Sequence, residues 1–511
     1  MQRKSRAHLL AAIGGPLFAL CSPPFDVYPA VFFGLSLLHL TTADAARDRL
    51  VFLRGWLWAA CATLLGMRFI VGVVDRFTPL GVLGGLGALL LLAAGQAVPW
   101  GLGLWVARLA ARRLYVPAPL AFAAGVTLAS SITIVIGWSP GALLSPWPVL
   151  VQLAEWVGER GVTFLVALVA ALCAEPLRRY VEGVPLSPKR PLGTAAVVFG
   201  IMLGFGIVKL NGESTRHAQR RVVRVGVVQP AIEARLRWDP AERQNILERL
   251  LRLTRDSEAK SVDFTAWHEA AYPFLIEARA HRMHRGRRAI IGRGVRGPVL
   301  FGALANAEQG EGRYNAATVV DPAGMTEPVQ AKMQLLWFGE TVPLSSVLPF
   351  LRRWFFRAGG LVPGESISLL SVGDARIGVL NCFEDTLAAV GRDVAAAGPN
   401  LLVNITNDAW FGDTAEPELH LRLSVLRSVE SRRDLVRVVN LGIPVWIDAA
   451  GRIRARGSVH EPGVLVVTPA LNDDPPTVYT RLGDSLLLSA LALLGAVCWS
   501  RGRRRRVDVV A

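Results

Sequence analysis

The chain has 511 residues, 52% of them hydrophobic and only 19% charged, with a mean hydropathy of +0.38. An ordinary soluble domain carries about a quarter charged residues, and this composition excludes disorder, collagen and a small disulfide scaffold. The 56 Lys+Arg against 40 Asp+Glu leave a net +16, yet the basic residues stand in short clusters between long apolar runs. That distribution points to a multi-pass membrane protein with cationic loops in the cytoplasm, and away from nucleic acid as a partner.

A hydrocarbon core about 30 Å thick needs about 20 apolar residues in a helix. Eight runs qualify as candidate transmembrane helices: 8–23, 27–43, 51–74, 80–107, 117–137, 161–176, 192–210 and 484–500. The first two are short and joined by Ser22-Pro23-Pro24-Phe25-Asp26, and Pro99 is placed to kink the long fourth run. A signal peptide over 1–21 is the alternative for the first, but Leu20 is too large for a cleavage site before Cys21. Alternation puts Arg3, Lys4 and Arg6, then Arg47 and Arg49, then Arg108, Arg112 and Arg113 on one side. Arg178, Arg179, Lys189 and Arg190, and finally Arg501 and Arg503 to Arg506, fall on the same side. Residues 1–211 are therefore expected to form a membrane domain of seven helices. Residues 212–482 form one polar insert on the outer face, and 483–511 supply the eighth helix and a basic cytoplasmic tail. Trp138, Trp147 and Trp156 read as an interfacial belt or the lining of a lateral entrance for lipid.

The insert alternates strand and helix signals, which is the pattern of an α/β domain. Strands are expected at Val222–Val228, Val262–Trp267, Ala289–Gly292, Val299–Leu304, Ile377–Leu380 and Leu401–Ile405, with helices at Pro240–Ala259, 384–397 and 415–433. Of five cysteines, Cys21, Cys61, Cys173 and Cys498 lie in apolar runs. Only Cys382 lies in polar sequence, so the insert has no internal disulfide.

Three strand-end segments carry chemistry: Phe264-Thr265-Ala266-Trp267-His268-Glu269, the segment Ala331 to Glu340 with Lys332, and Gly378-Val379-Leu380-Asn381-Cys382-Phe383-Glu384-Asp385. A base, a fixed positive charge and a nucleophile can converge at one sheet edge. Taken singly, a Cys ending an apolar strand is an ordinary core residue, and Glu269 and Lys332 ordinary surface charges. As a trio in this order they resemble the Glu–Lys–Cys triad of the carbon–nitrogen hydrolase (nitrilase) superfamily.

Nearly the whole chain is similar to the bacterial apolipoprotein N-acyltransferase family, in which a nitrilase-like domain is inserted before the last of eight transmembrane helices. The likeness rests on Ser22-Pro23-Pro24-Phe25-Asp26, Gly55-Trp56-Leu57-Trp58, Phe338-Gly339-Glu340-Thr341-Val342-Pro343-Leu344 and Asn407-Asp408-Ala409-Trp410-Phe411-Gly412, with fainter agreement at Arg427–Glu430 and Arg437–Gly442. The resemblance implies a multi-pass α-helical membrane domain plus an α/β nitrilase-like αββα sandwich. It assigns Cys382 as nucleophile, Glu269 as general base and Lys332 as the triad lysine. Glu340, Phe383 and Glu384 become supporting residues, and Trp238 and Trp410 substrate-cavity residues. The implied reaction takes an acyl chain from a membrane phospholipid onto Cys382 as a thioester. It then passes the chain to the α-amine of a diacylglyceryl-cysteine at a lipoprotein N-terminus. The implied setting is the inner membrane of a bacterium, with the catalytic domain periplasmic and both termini cytoplasmic; neither cofactor nor metal is expected, and the protein is expected to act as a monomer.

Elementary chemistry agrees. A free thiol has a pKa of about 8.5, so a base must take its proton on attack. Lys332 and the Phe383 N–H are the expected oxyanion donors. The chain departs from the family at Gln334 and Trp337, at Phe383 where Tyr is common, at Leu419 before His420, and in a fifth helix (Ala121–Ile136) that lacks the polar or charged residues common in the family there. These departures bear on substrate choice, so an acyltransferase with another acceptor stays open. So does a membrane-anchored amidase that uses water as second nucleophile. A transporter or scaffold is disfavoured by the scarcity of intramembrane charge. His281 and His284 lack a ligand set and read as surface residues, and the Asn404-Ile405-Thr406 sequon falls in a buried strand. Residues 335–365 read equally as a mobile lid or as ordinary packing.

Overall fold

The computed structural model describes residues 2–43, 45, 47–134, 136–183, 188–307, 312–337, 339–342, 347–350 and 360–510, without side chains for 2–4, 182 and 503–510. Phe338, residues 343–346 and 351–359 of the expected lid, and the side chains of Arg3, Lys4 and Arg503 to Arg506 lie outside the described residues. The chain divides into two compact units, Met1–Leu210 with Leu482–Ala511, and Asn211–Arg481.

The first unit is helical throughout, because its apolar runs leave backbone groups no partner but one another. Among the described residues five helices are long and apolar enough to cross a membrane: Asp48–Gly66, Gly81–Leu114, Ala154–Val181, Lys189–His217 and Ser485–Gly502. Ala30–Ala43 and Ala118–Ser130 are shorter apolar helices. The long helix breaks at Ala97, two residues before Pro99, where the imino ring cannot continue the hydrogen-bond ladder.

Small residues let these helices approach closely, as membrane packing requires. A Cβ added at Gly15 would lie 2.0 Å from the Trp58 carbonyl oxygen, and one at Gly34 2.7 Å from the Phe18 nitrogen. The indole of Trp58 donates to the Gly34 carbonyl at 3.0 Å. It also joins a buried aromatic cluster, with ring centroids 4.8 Å from Phe18 and 4.9 Å from Trp100. The buried carboxylate of Glu175 is met by His39 at 3.3 Å and by Arg178 and Arg179 at 2.7 Å each, so its charge is locally compensated.

The second unit contains two sheets. Strands β1 (Val225–Gln229), β2 (Phe264–Ala266), β3 (Tyr272–Glu277), β4 (Val299–Asn306), β5 (Arg313–Val320), β6 (Gln330–Ala331) and β13 (Gly463–Val467) form the first, in order β13-β1-β2-β4-β5-β6 with β3 also on β4. Strands β7 (Leu370–Val372), β8 (Ala375–Asn381), β9 (Leu401–Thr406), β10 (Leu435–Val439), β11 (Val445–Ile447) and β12 (Ile453–Arg456) form the second, in order β12-β11-β10-β9-β8-β7. β8, β9 and β10 are parallel and buried along their whole length, apart from Arg376 near the start of β8, as expected of strands covered on both faces.

One core cluster lies between the sheets, joining Val225, Phe264 and Leu300 of the first to Ile377, Val403 and Val436 of the second. A second packs the helix Arg243–Glu258 on the first sheet through Ile246, Leu247 and Leu250. A third sets the helices Ala388–Ala396 and Glu416–Ser431 on the second sheet through Val394, Leu421 and Val425. The layers are therefore α-β-β-α. One expected strand is absent: Ala289–Gly292 follows a 3-10 turn, Gly286–Arg288, and runs into a bend. Gly292, Arg293, Gly294 and Gly297 all have positive φ, and such a run curls the chain too tightly for a ladder.

The packing at Gly15 is directly testable. Gly15→Ala should lower stability to thermal unfolding in detergent by about 1–3 kcal/mol. Gly87→Ala, whose added Cβ meets nothing within 4 Å, should stay within about 0.5 kcal/mol of the parent. Equal behaviour of the two would contradict the helix contact.

Candidate active site

Three strand ends converge. Glu269 follows β2, Lys332 follows β6 and Cys382 follows β8. The Glu269 turn is held by the Trp267 N–H on the Leu300 carbonyl at 2.8 Å, and by the indole of Trp267 on the Thr254 hydroxyl at 2.9 Å. His268, fully buried, donates through Nδ1 to the Glu269 carbonyl at 2.8 Å. Burial, then the nearby Arg237, push its pKa down to about 3, so the ring is neutral. Gly302 on β4 lies directly beneath this turn. A Cβ there would sit 2.5 Å from the His268 carbonyl oxygen and 2.9 Å from the Glu269 Cα.

The Lys332 ammonium is buried. Its Nζ lies 2.8 Å from Glu340 Oε2 and 3.4 Å from Glu269 Oε1. Burial alone would strip its proton, but the two carboxylates outweigh that and raise its pKa above the ordinary lysine value. Asn315, on β5, donates to both acids, at 2.7 Å to Glu269 and 2.8 Å to Glu340. The Leu336 N–H donates to Glu340 Oε2 at 2.9 Å.

Cys382 opens the 3-10 turn Cys382–Thr386 with φ of +55°, a left-handed conformation that a non-glycine residue holds only when its surroundings enforce it. The enforcement is visible. Glu384 accepts from the N–H groups of Asn381 at 2.8 Å, Met333 at 2.6 Å and Gln334 at 2.9 Å, tying the cysteine turn to the lysine segment. Burial pushes the Glu384 pKa up to about 7 against the pull of Lys332 and those three donors. Asn404 donates to the Cys382 carbonyl at 2.9 Å. Cys382 is half-buried as a residue, and burial of the thiol and then Glu269 push its pKa well above the ordinary value. Glu269 is also raised, chiefly by burial, although Lys332 opposes this, and it hydrogen-bonds with Cys382. A neutral thiol thus stands beside a carboxylate of raised basicity and a fixed ammonium, and that set can transfer a proton as the sulfur attacks.

Of the residues singled out from sequence, Glu269, Lys332, Glu340, Cys382 and Glu384 form one connected set, and the Lys332 Nζ lies 5.2 Å from the Phe383 ring centroid. Trp238 stands apart, exposed, with the Arg237 guanidinium 5.0 Å from its ring. Arg237 itself donates to the Ala270 carbonyl and, at 3.3 Å, to that of Tyr272, which links the Trp238 segment to the Glu269 turn. Trp410 is half-buried on the turn Asp408–Trp410. His284 bonds the Tyr272 hydroxyl at 2.9 Å while His281 is exposed, and Asn404 of the sequon is buried.

Asn315, Gly302 and Arg237 escaped the sequence reading. An asparagine inside an otherwise apolar strand was the one available signal. Asp408, Glu416 and His420 offer ligand atoms within 4.8 Å of one another. Arg437 donates to the same Asp408 carboxylate at 3.2 Å, so these residues belong to an ion-pair network with its own cations.

Because Gly302 supports the Glu269 turn, Gly302→Ala should slow iodoacetamide alkylation of Cys382 at neutral pH about tenfold or more and destabilise the unit by about 1–3 kcal/mol. Site-resolved mass spectrometry and thermal unfolding measure the two, and an unchanged alkylation rate would refute the support.

Comparison with known proteins agrees with this architecture. Residues 14–172 match the family model of the apolipoprotein N-acyltransferase N-terminal domain, and residues 224–473 match that of the carbon-nitrogen hydrolases. The apolipoprotein N-acyltransferase of Allorhizobium ampelinum is 31% identical, covering 98% of this chain and 97% of that protein. That of Geobacter metallireducens is 28% identical over 98% of this chain and 96% of its own length. Among solved structures, an amidase from Nesterenkonia sp. is 19% identical over 53% of this chain and 96% of its own, with a TM-score of 0.37. With a helical membrane unit, a nitrilase-like α/β unit and full-length relatives, the chain belongs to the apolipoprotein N-acyltransferase family.

Proposed function

We propose that the protein N-acylates the N-terminal diacylglyceryl-cysteine of lipoproteins, with a membrane phospholipid as acyl donor and Cys382 as the site of a thioester intermediate. The observation that carries this reading is the buried Glu269–Lys332–Glu340 set beside a half-buried Cys382, in a chain whose relatives bear that activity's name over almost their full length.

The proposed reaction has two half-reactions. In the first, Glu269 takes the thiol proton as Cys382 Sγ bonds to the ester carbonyl carbon. The oxyanion is met by the Lys332 ammonium and the Phe383 N–H. Collapse breaks the ester C–O bond, and the departing lysophospholipid oxygen takes the proton from Glu269. In the second, the lipoprotein α-amine attacks the thioester and Glu269 accepts its proton. The C–S bond breaks and Glu269 returns the proton to the sulfur, which reforms the thiol and leaves an amide. Glu340, Phe383 and Glu384 support the set through the contacts described. Trp238, an exposed indole, and Trp410, on its turn near the nucleophile, would meet the lipid chains.

The same reading makes the first unit a membrane domain of eight helices in the bacterial inner membrane. The support is the alternation of basic segments with the five long and the shorter apolar helices. The insert would then be periplasmic, both termini cytoplasmic, and the enzyme a monomer that meets two lipid substrates at the outer interface.

Intact-protein mass spectrometry after incubation with phospholipid tests the first half-reaction. A hydroxylamine-labile acyl adduct is expected on the parent protein and absent from Cys382→Ala. A diacylated lipopeptide should discharge the adduct as an amide; failure of every phospholipid to form it, with small amides hydrolysed, would replace this reading with an anchored amidase. Lys332→Met should slow adduct formation about 100- to 1,000-fold, the usual effect of removing one oxyanion donor.

A further inference from the structure

Behind the cysteine turn lies a second buried charge cluster that the reaction above does not use. Asp385 stands on the turn Cys382–Thr386, Asp408 on the turn Asp408–Trp410, His420 on the helix Glu416–Ser431 and Arg437 on β10. All four are at most 4% exposed. His420 Nε2 lies 2.9 Å from Asp385 Oδ1, and its Nδ1 3.2 Å from Asp408 Oδ1. Arg437 reaches the remaining oxygens, at 3.2 Å to Asp408 Oδ2 and 3.6 Å to Asp385 Oδ2. Two cations are thus interleaved with two carboxylates that belong to two different turns.

We propose that His420, seated between Asp385 and Asp408, acts with Arg437 as a positioning residue for Cys382. It ties the cysteine turn to the turn that carries Trp410, and it offsets the Asp408 charge that faces the thiol.

The geometry requires a doubly protonated ring. Both ring nitrogens face carboxylate oxygens, and a carboxylate only accepts, so both nitrogens must donate. Burial and Arg437 work against the proton, but Asp385 and Asp408 outweigh them and push the His420 pKa up to about 10. Glu416, whose Oε1 lies 3.9 Å from Nδ1, is pushed up to about 8 by burial and by Asp408, so it is protonated at neutral pH. The cluster then balances two cations against Asp385 and Asp408.

The link to the thiol is short. Thr406, beside the thiol, donates its one hydroxyl proton to Asp408 Oδ1 at 3.1 Å. The charged groups facing the thiol are Glu269, Lys332, Asp408 and Arg437; those facing His420 are Asp385, Asp408, Glu416 and Arg437. Asp408 raises the thiol pKa, and without the neighbouring imidazolium it would raise it further. A role confined to stability accounts poorly for this cluster, because well-packed apolar residues commonly hold a core as well as buried ion pairs do.

The inference rests on the reading of Cys382 as nucleophile, and its test does not need acyl transfer. Alkylation of Cys382 by iodoacetamide is followed against pH by site-resolved mass spectrometry on the full-length protein in detergent. His420→Gln should raise the midpoint by about one unit, with alkylation about tenfold slower at pH 8. Asp408→Asn should shift the midpoint down, and the double variant should return to within about twofold of the parent rate. An unchanged profile in His420→Gln, or a double variant no closer to the parent than the single ones, would overturn the proposal. Should His420→Gln fail to fold, NMR of the histidine-labelled parent decides: an imidazolium at residue 420 up to pH 9 supports it, and a neutral ring at pH 7.5 refutes it. The expected shifts without any acyl adduct from phospholipid would leave the positioning role standing while the acyltransferase reading fell.

Discussion

The catalytic unit is organised around one buried cation. An ammonium removed from water is tolerable only with close counter-charges and satisfied hydrogen bonds, and Lys332 has Glu340 at 2.8 Å and Glu269 at 3.4 Å. That requirement draws in the rest of the set. Two carboxylates around one lysine leave spare lone pairs and a surplus negative charge. Asn315 donates to both acids and the Leu336 N–H to one. Three chain segments distant in sequence are thereby held in register by the need to leave no buried charge unanswered. The same field keeps the thiol protonated at rest and leaves a base of raised pKa beside it.

The cysteine turn shows how an unfavourable backbone is stabilised by its surroundings. A cysteine at φ +55° carries strain, and the Glu384 carboxylate holds three backbone N–H groups that fix it from one side. The pairing of Asp385 with His420 fixes it from the other. Buried ions of both signs are therefore distributed on the two sides of Cys382, each with partners. The membrane unit uses a different economy of contacts. Glycines bring helices into backbone contact and aromatic rings fill the space between, while Glu175 keeps its partners within reach on the same or a neighbouring helix.

Much of this was legible in the sequence, for specific reasons. The apolar runs stand out because a membrane span needs length and low charge, both local properties, and each expected run contains helix, although the helices end at Ala19 and Ser130 where the runs were expected to reach 23 and 137. β8 and β9 were legible because strands covered on both faces are continuous runs of β-branched and aliphatic residues. Glu269, Lys332 and Cys382 stood out through strand-end placement and family likeness. The strand expected at Ala289–Gly292 was misleading because its apolar pair is followed by residues with positive φ, which local hydrophobicity does not reveal. β3, β5 to β7 and β10 to β13 were not anticipated. Some of their polar residues, Asn315 and Arg437 among them, are buried in the folded chain but read as solvent-facing in isolation.

What the sequence by itself determined is what depends on neighbours in the chain: apolar spans, alternating α/β segments, strand-end chemistry and the motifs of the family. What only the tertiary structure decided is everything that depends on charges meeting across the fold. Asn315 bridging two acids, Gly302 under the Glu269 turn, Glu384 gathering N–H groups from two segments and His420 between two aspartates are relations that join residues up to 51 positions apart. Electrostatic and steric energies depend on distance in space, and linear order carries almost none of that information for segments that meet only when two sheets pack face to face.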